Sequence, residues 1–221
     1  MSRRQNTPNL PPGWKWVLLD EVLLSIIGGG TPSKLNPSYW SGDIPWLSVK
    51  DMKTSRPTDT IDHISLDAIE NSATNLISPD TLIVSTRMGL GKIVRLPFET
   101  TINQDLKALI LTKSVNKSYV EYWYISLDSY IESLGTGTTV KGIRLEQLRS
   151  LKLPLAPRAI QDLVVNKIEE LFSHIDAGVE GLKQAKAKLQ QYRQSVLKDA
   201  VTGKLTEQWR EQNADKLEPA E

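Results

Sequence analysis

Pro79-Asp80 followed by Asp105-Leu106-Lys107 has the residue types and loose spacing of a metal-dependent nuclease. Two carboxylates would hold a divalent ion and the lysine would polarise the attacking water. That pattern is common by chance, and Pro79-Asp80 makes a good turn ahead of the apolar run that follows it. Gly89-Leu90-Gly91-Lys92 is too short to cradle a phosphate as a P-loop does. His63 and His174 are isolated, and His174 falls in a long helical pattern as a surface residue. Cysteine is absent, which excludes disulfides and thiolate metal sites. These residues do not assemble into a convincing catalytic constellation.

Asn36-Pro37-Ser38-Tyr39 is similar to the Asn-Pro-Pro-Tyr site with which amino-methyltransferases hold a target amine. Its third residue is Ser, and no glycine-rich strand-turn-helix for a methyl donor accompanies it, so it reads as a loop. Four further loops are rich in Gly, Thr, Ser, Asn, Lys and Arg: Gly28–Lys34, Ser48–Lys53, Ser85–Lys92 and Gly135–Lys141. Backbone amides and hydroxyls suit phosphate oxygens, whereas Arg, Lys, Asn and Gln suit base edges. The candidates for contact with DNA are Lys34, Lys50, Arg87, Lys92 and Lys141, with Thr31, Ser33, Thr136 and Thr138 as hydroxyl donors. The competing reading is ordinary turns with solvated lysines.

The elements that would carry these loops mix strands and helices without regular alternation, which favours an α+β domain. Residues 1–12 are polar and proline-bearing and read as disordered. Strands are expected over Trp14–Leu19, Ile44–Val49, Thr81–Ser85, Ile93–Leu96, Leu106–Leu111 and Leu151–Leu155. Asp20 could cap a short helix over Glu21–Ile27. Ser118 and Glu121 have capping-box spacing and open a helix whose apolar face runs from Val120 to Leu134, closed by Gly135.

From about Ile160 to Val201 the chain reads as one helix of roughly 60 Å. Ile168, Ile175, Leu182, Leu189 and Val196 recur at seven-residue spacing, the mark of a coiled-coil seam. Val165, Phe172, Val179 and Ala200 fit the second apolar position, which Lys186 and Arg193 interrupt. Acids dominate up to Glu180 and bases from Lys183 to Lys198. An antiparallel copy, with a two-fold axis near Gly181, would set the acidic half against the basic half. A single-chain bundle is the alternative.

The chain has 221 residues, 39% hydrophobic and 24% charged, enough for one ordinary domain plus this helix. A net charge of +1 does not announce a nucleic-acid binder, so any basic surface must come from local arrangement. Neither a long apolar run nor a signal-peptide pattern is present, which leads to the expectation of a cytoplasmic protein with no membrane role.

Four stretches form a recognisable set. They are Gly29-Gly30-Thr31-Pro32-Ser33 with Tyr39-Trp40-Ser41-Gly42-Asp43-Ile44-Pro45-Trp46, and Asn103-Gln104 before a strand. Gly142-Ile143 through Leu148 before Leu153-Pro154-Leu155 and the helix ending Gly203-Lys204-Leu205-Thr206 complete it. In these stretches and their order the sequence resembles the specificity subunit of type I restriction-modification systems. The resemblance implies a target recognition domain over 1–156 and a conserved assembly helix with a polar tail over 157–221. It implies a subunit without chemistry or cofactors of its own that reads double-stranded DNA. Its partners would be a modification subunit carrying S-adenosylmethionine and a restriction subunit carrying ATP hydrolysis and Mg-dependent cleavage. The family's subunit usually has two recognition domains and two antiparallel helices, whereas this chain has one of each. A homodimer reading an interrupted palindrome is therefore expected. A DNA-processing enzyme and a coiled-coil module without a nucleic-acid role are the competing classes.

Overall fold

The computed structural model describes residues 5–137 and 140–217, in two compact units that divide after Val165. The first unit is built on three sheets. Strands β2 (Leu23–Gly28), β9 (Leu106–Leu111), β6 (Leu82–Ser85) and β7 (Ile93–Arg95) form an antiparallel sheet in that spatial order. Strands β4 (Asp62–Ile64), β3 (Ile44–Leu47), β8 (Thr100–Ile102) and β5 (Leu76–Ile77) form a second, in which β3 and β8 run parallel. A two-stranded ribbon pairs β1 (Lys15–Leu18) with β10 (Lys152–Leu155), so Lys15 faces Leu155 across it.

The antiparallel sheet is covered on both faces. Alternation in a strand sends successive side chains to opposite sides. On β6, Leu82 and Val84 join a core with α2 (Lys117–Ser126), α3 (Asp128–Leu134) and α4 (Leu145–Arg149), while Ile83 joins a core with Leu47, Ile77 and Ile102. That is why β6 reads as an unbroken apolar run. Each such side chain contributes about 1.5–3 kcal/mol by leaving water. The short helix α1 (Leu66–Glu70), capped by the Ser65 side chain, packs Ala68 with Trp46 and Ile64 in a smaller cluster.

Several expectations are corrected. Leu23–Gly28 is a strand, not the end of a helix: a 3-10 turn occupies Leu19–Val22, and the chain then pairs with β9. The cap of α2 is Asn116, whose side chain accepts from the Tyr119 amide at 3.1 Å. Glu121 lies inside the helix, buried, and pairs with Arg56 and with Arg95 at 3.3 Å. The helix also breaks at Leu127 into α2 and α3. In the polar N-terminal segment, Gln5 exchanges hydrogen bonds with the backbone of Lys152, at 2.6 and 2.7 Å.

Helix α5 runs Arg158–Val201. Its first two turns belong to the globular unit. Gln161, 1% exposed, accepts from the Asn116 amide and donates to the Ala156 carbonyl, each at 2.8 Å. Val165 is buried in the globular core, so it does not serve the seam. In the second unit the helix continues from Asn166 for about 54 Å. Ile175, Leu182 and Leu189 are exposed, Leu182 to 73%, while Ile168 and Val196 are half-buried. Gly203, at φ +76°, adopts the left-handed conformation that ends helices. Arg210 of α6 (Glu207–Gln212) returns to hydrogen-bond the Gly203 carbonyl and, at 2.6 Å, the Thr206 hydroxyl.

Candidate nucleic-acid interface

Strand register decides which loops meet. Gly28 ends β2 opposite Lys107, Ser85 ends β6 opposite Leu106, Ile93 opens β7 opposite Val84, and Leu47 ends β3 beside Ile102. Four connections therefore leave from the same end of the two sheets: those after β2 and β3, the β6–β7 turn and the short β8–β9 link. Direct bonds tie them together. The Gly30 amide donates to the Ile102 carbonyl and the Asn103 amide to the Leu47 carbonyl, both at 3.0 Å.

This closeness explains two glycines of the loop after β2. A Cβ on Gly29 would fall 2.0 Å from the Ile102 carbonyl oxygen, and one on Gly30 would fall 2.6 Å from the Ala73 carbonyl carbon. Only hydrogen fits. The Trp46 indole then holds the Gly30 carbonyl at 3.0 Å. Thr31 donates its hydroxyl to the Gln104 side chain. Ser33 holds the Trp40 indole through its carbonyl at 3.2 Å, and the Lys34 ammonium lies 5.9 Å from the centre of the Trp40 ring. The Asn36 side chain is spent capping a 3-10 turn through the Ser38 amide and hydroxyl, at 3.2 and 2.8 Å, in keeping with the loop reading of Asn36–Tyr39.

The loop after β3 turns on Asp51, whose carboxylate accepts from the Ser48 amide at 2.8 Å, the Ser48 hydroxyl at 2.9 Å and the Ile61 amide at 2.8 Å. Lys50 stands exposed at that turn. Its neighbour Val49 touches the β6–β7 turn, since a Cβ on Gly89 would meet Val49 Cγ1 at 2.9 Å.

The fourth predicted loop joins the same end through backbone pairing. Thr136 and Gly142 exchange hydrogen bonds at 2.9 Å, Gly142 bridges to Arg87, and the Met88 amide donates to the Lys141 carbonyl at 3.3 Å. Thr31, Ser33, Lys34, Lys50, Arg87, Lys92, Thr136 and Lys141 are thus gathered on loops at one end of the globular unit. Thr138 lies outside the described residues. Lys34, Lys50, Lys92 and Lys141 are exposed and form no ion pair among the described residues. Such a cluster presents positive charge that long, flexible side chains can move onto phosphates.

Four residues at this end were not among the DNA-contact candidates. Asn103 and Gln104 form the β8–β9 link. Asp105 follows, with its side chain 8% exposed and 3.4 Å from the Arg87 guanidinium. Met88 stands 62% exposed at φ +59°, an uncommon backbone for a side chain of its size. The amide pair Asn103-Gln104 was visible within the family resemblance. Asp105 stood out only as a candidate metal ligand and Met88 only as part of a turn; their place at this end follows from the strand order. Lys107 is half-buried, and its ammonium donates to the Gln104 carbonyl at 2.9 Å and the Leu106 carbonyl at 3.0 Å. Burial lowers its pKa from the ordinary lysine value, partly opposed by Asp105.

The metal-nuclease pattern does not assemble. Asp80 precedes β6, with its amide on the Leu96 carbonyl and its carboxylate paired with Lys117 at 3.0 Å and Arg95 at 3.3 Å. Asp105 lies past the other end of β6, where its carbonyl accepts from the Thr86 amide. The strand between them holds the two backbone positions about 15–20 Å apart. Among the described residues no group of three or more His, Cys, Asp or Glu side chains could hold a metal ion, and no helix is long and apolar enough to cross a membrane.

The family model described as the type I restriction modification DNA specificity domain matches residues 11–190. The chain is 29% identical over 177 residues to the EcoR124I/EcoR124II specificity subunit of Escherichia coli, covering 76% of this chain and 43% of that protein. It is 25% identical over 210 residues to the EcoKI specificity subunit of Escherichia coli strain K12, covering 91% and 45%. The chain therefore spans less than half the length of these curated relatives. The fold is shared with the HsdS subunit of Thermoanaerobacter tengcongensis, at TM-score 0.68 and 23% identity over 89% of this chain and 46% of that one. It is shared also with a chain from a structure of a type I R-M system assembly, at TM-score 0.69 and 22% identity over 87% and 47%. With its sheets, its loop cluster and the root of its long helix all inside the matched region, the chain belongs to the family of type I restriction modification DNA specificity domains.

Proposed function

We propose that this chain is a non-catalytic DNA-recognition half-subunit of a type I restriction-modification complex. The observation that carries the reading is the convergence of the Gly28–Lys34, Ser48–Lys53, Ser85–Lys92 and Gly135–Lys141 loops at one end of the globular unit. Lys34, Lys50, Lys92 and Lys141 serve phosphates. The side chains between them face base edges, where sequence is read. The work of this surface is binding, and the chemistry belongs to partners: a modification subunit using S-adenosylmethionine and a restriction subunit using ATP and Mg, in the cytoplasm.

The second half of the recognition unit is a second copy. Ile175, Leu182 and Leu189 stand exposed at heptad spacing, and the acidic and basic halves of the helix are complementary when antiparallel. Under a two-fold axis near Gly181, Ile168 approaches the partner copy's position 196 and Ile175 its position 189. Two identical readers related by that axis recognise an interrupted palindrome, with the helices setting the unread spacer.

Binding of the chain to a duplex library with a randomised core, over a salt series, tests the first part. Enrichment of a motif, with affinity falling as salt rises, is the expected result; no affinity at any salt overturns it. Sedimentation tests the second: a dimer at micromolar concentration, weakened by Leu182→Ala, is expected, because truncating a packed leucine costs about 2–5 kcal/mol. A monomer contradicts it.

A further inference from the structure

We infer that Arg87 reads a guanine edge and that Asp105 is the residue that positions it for this. The inference rests on the DNA-recognition reading above and assigns it one base contact.

Arg87 differs from the lysines around it in having its backbone tied on both sides and its guanidinium beside a buried carboxylate. Its carbonyl accepts from the Ser85 hydroxyl at 2.6 Å, and it forms a backbone bridge with Gly142. On either side of it, the Thr86 carbonyl accepts from the Ile143 amide at 2.9 Å, and the Met88 amide donates to the Lys141 carbonyl at 3.3 Å. Its side chain then crosses the face of Gly142 so closely that a Cβ there would meet Arg87 Cγ at 3.0 Å. At the far end Nη1 lies 3.4 Å from Asp105 Oδ1.

Asp105 is itself held. Its amide donates to the Asn103 side chain at 3.1 Å, and its carbonyl accepts from the Thr86 amide at 2.8 Å and the Thr86 hydroxyl at 3.0 Å. Oδ1 is buried and has no full hydrogen bond of its own. A buried carboxylate oxygen without a close donor is costly, so the carboxylate draws the guanidinium toward one place.

A phosphate contact needs net charge and tolerates a mobile side chain. Lys34, Lys50, Lys92 and Lys141 supply that. Pairing with a buried carboxylate offsets the charge of Arg87 but leaves its directional donors intact. Nε and Nη2 have no partner among the described residues, and the side chain is 53% exposed. A planar fork fixed in advance loses little rotamer entropy on binding and matches two acceptors side by side. In duplex DNA the base edge presenting two such acceptors is guanine, through O6 and N7.

The test uses the 221-residue chain and duplexes with a randomised core, with the bound fraction sequenced. The wild-type chain is expected to select a motif containing a G·C pair and to prefer it over A·T there by about 5- to 150-fold. Arg87→Lys keeps the charge and removes the fork. Asp105→Asn keeps the shape and removes the charge that aims it. Both should compress that preference to within about threefold while the other positions of the motif and the salt slope stay as they were. Thermal melting checks each fold, and if Asp105→Asn unfolds, Arg87→Gln at the half-exposed end of the pair carries the test. Full preference retained in Arg87→Lys overturns the assignment. So does uniform weakening with a slope shallower by about one unit, which would make Arg87 a phosphate ligand. A wild-type chain that enriches no sequence would instead overturn the DNA-recognition reading, and this inference with it.

Discussion

The Gln161 carboxamide bonds the Asn116 amide and the Ala156 carbonyl at once, each at 2.8 Å, and so locks the root of the long helix against the cap of α2. Both partners are backbone groups, and Gln161 is almost wholly buried. Gln161→Leu would leave a donor and an acceptor unsatisfied. A loss of about 1–3 kcal/mol in the unfolding free energy of the globular unit is expected, read by denaturant titration. Gln161→Glu should also destabilise it, because a carboxylate offers no donor to Ala156.

Glycines divide into two classes with opposite expected signs. Gly29→Ala places a methyl 2.0 Å from the Ile102 carbonyl oxygen and must displace the loop after β2. Loss of DNA binding, or of the fold, should follow. Gly178 and Gly181 have nothing within 4 Å. Alanine there should stabilise the helix by about 1 kcal/mol at each position, visible as raised helicity and melting temperature by circular dichroism.

Of the globular unit, the strands with strong apolar runs were legible in advance. β6 and β9 are buried on two faces or beside a central partner, and their composition says so without reference to the rest of the chain. Leu23–Gly28 was misread because its local pattern suits a capped helix, while its actual partner, β9, lies some eighty residues away. β8 was missed because Thr100 and Thr101 carry no hydrophobic signal, though both are buried. Glu121 has capping-box spacing, yet Arg56 and Arg95 make a buried pairing available that no local rule contains. Within the site, the lysines and hydroxyls were legible one by one as loop residues. Their meeting was not, since it follows from strand order, and Asp105 gained its relation to Arg87 only through that order.

Lysines and Arg87 should separate in their salt behaviour. Lys92→Ala, Lys141→Ala and Lys34→Ala are each expected to weaken binding to every sequence alike. Each should flatten the dependence of log affinity on log salt by about 0.9. Fluorescence anisotropy over a salt series on matched and mismatched duplexes reads both effects.

The Tyr119 hydroxyl donates to the Pro154 carbonyl, fixing β10 to α2, and burial pushes its pKa up to about 12. The folded-state value lies above the unfolded one of about 10, so the stabilisation is complete below pH 10 and is lost as pH rises toward 12. Tyr119→Phe should cost about 0.5–1.5 kcal/mol at neutral pH and should lessen the fall in stability across that alkaline window, measured by denaturant titration at each pH.

The most direct measurement is sequencing of methylated bases in cells that produce this chain together with the modification subunit of its system. The expected result is one motif made of two inverted, identical halves separated by an unread spacer, with the halves unchanged and the spacer shortened when whole heptads are removed from the Asn166–Val201 segment. An asymmetric motif would contradict pairing with a second copy. Methylation that does not depend on this chain would contradict its role in reading DNA.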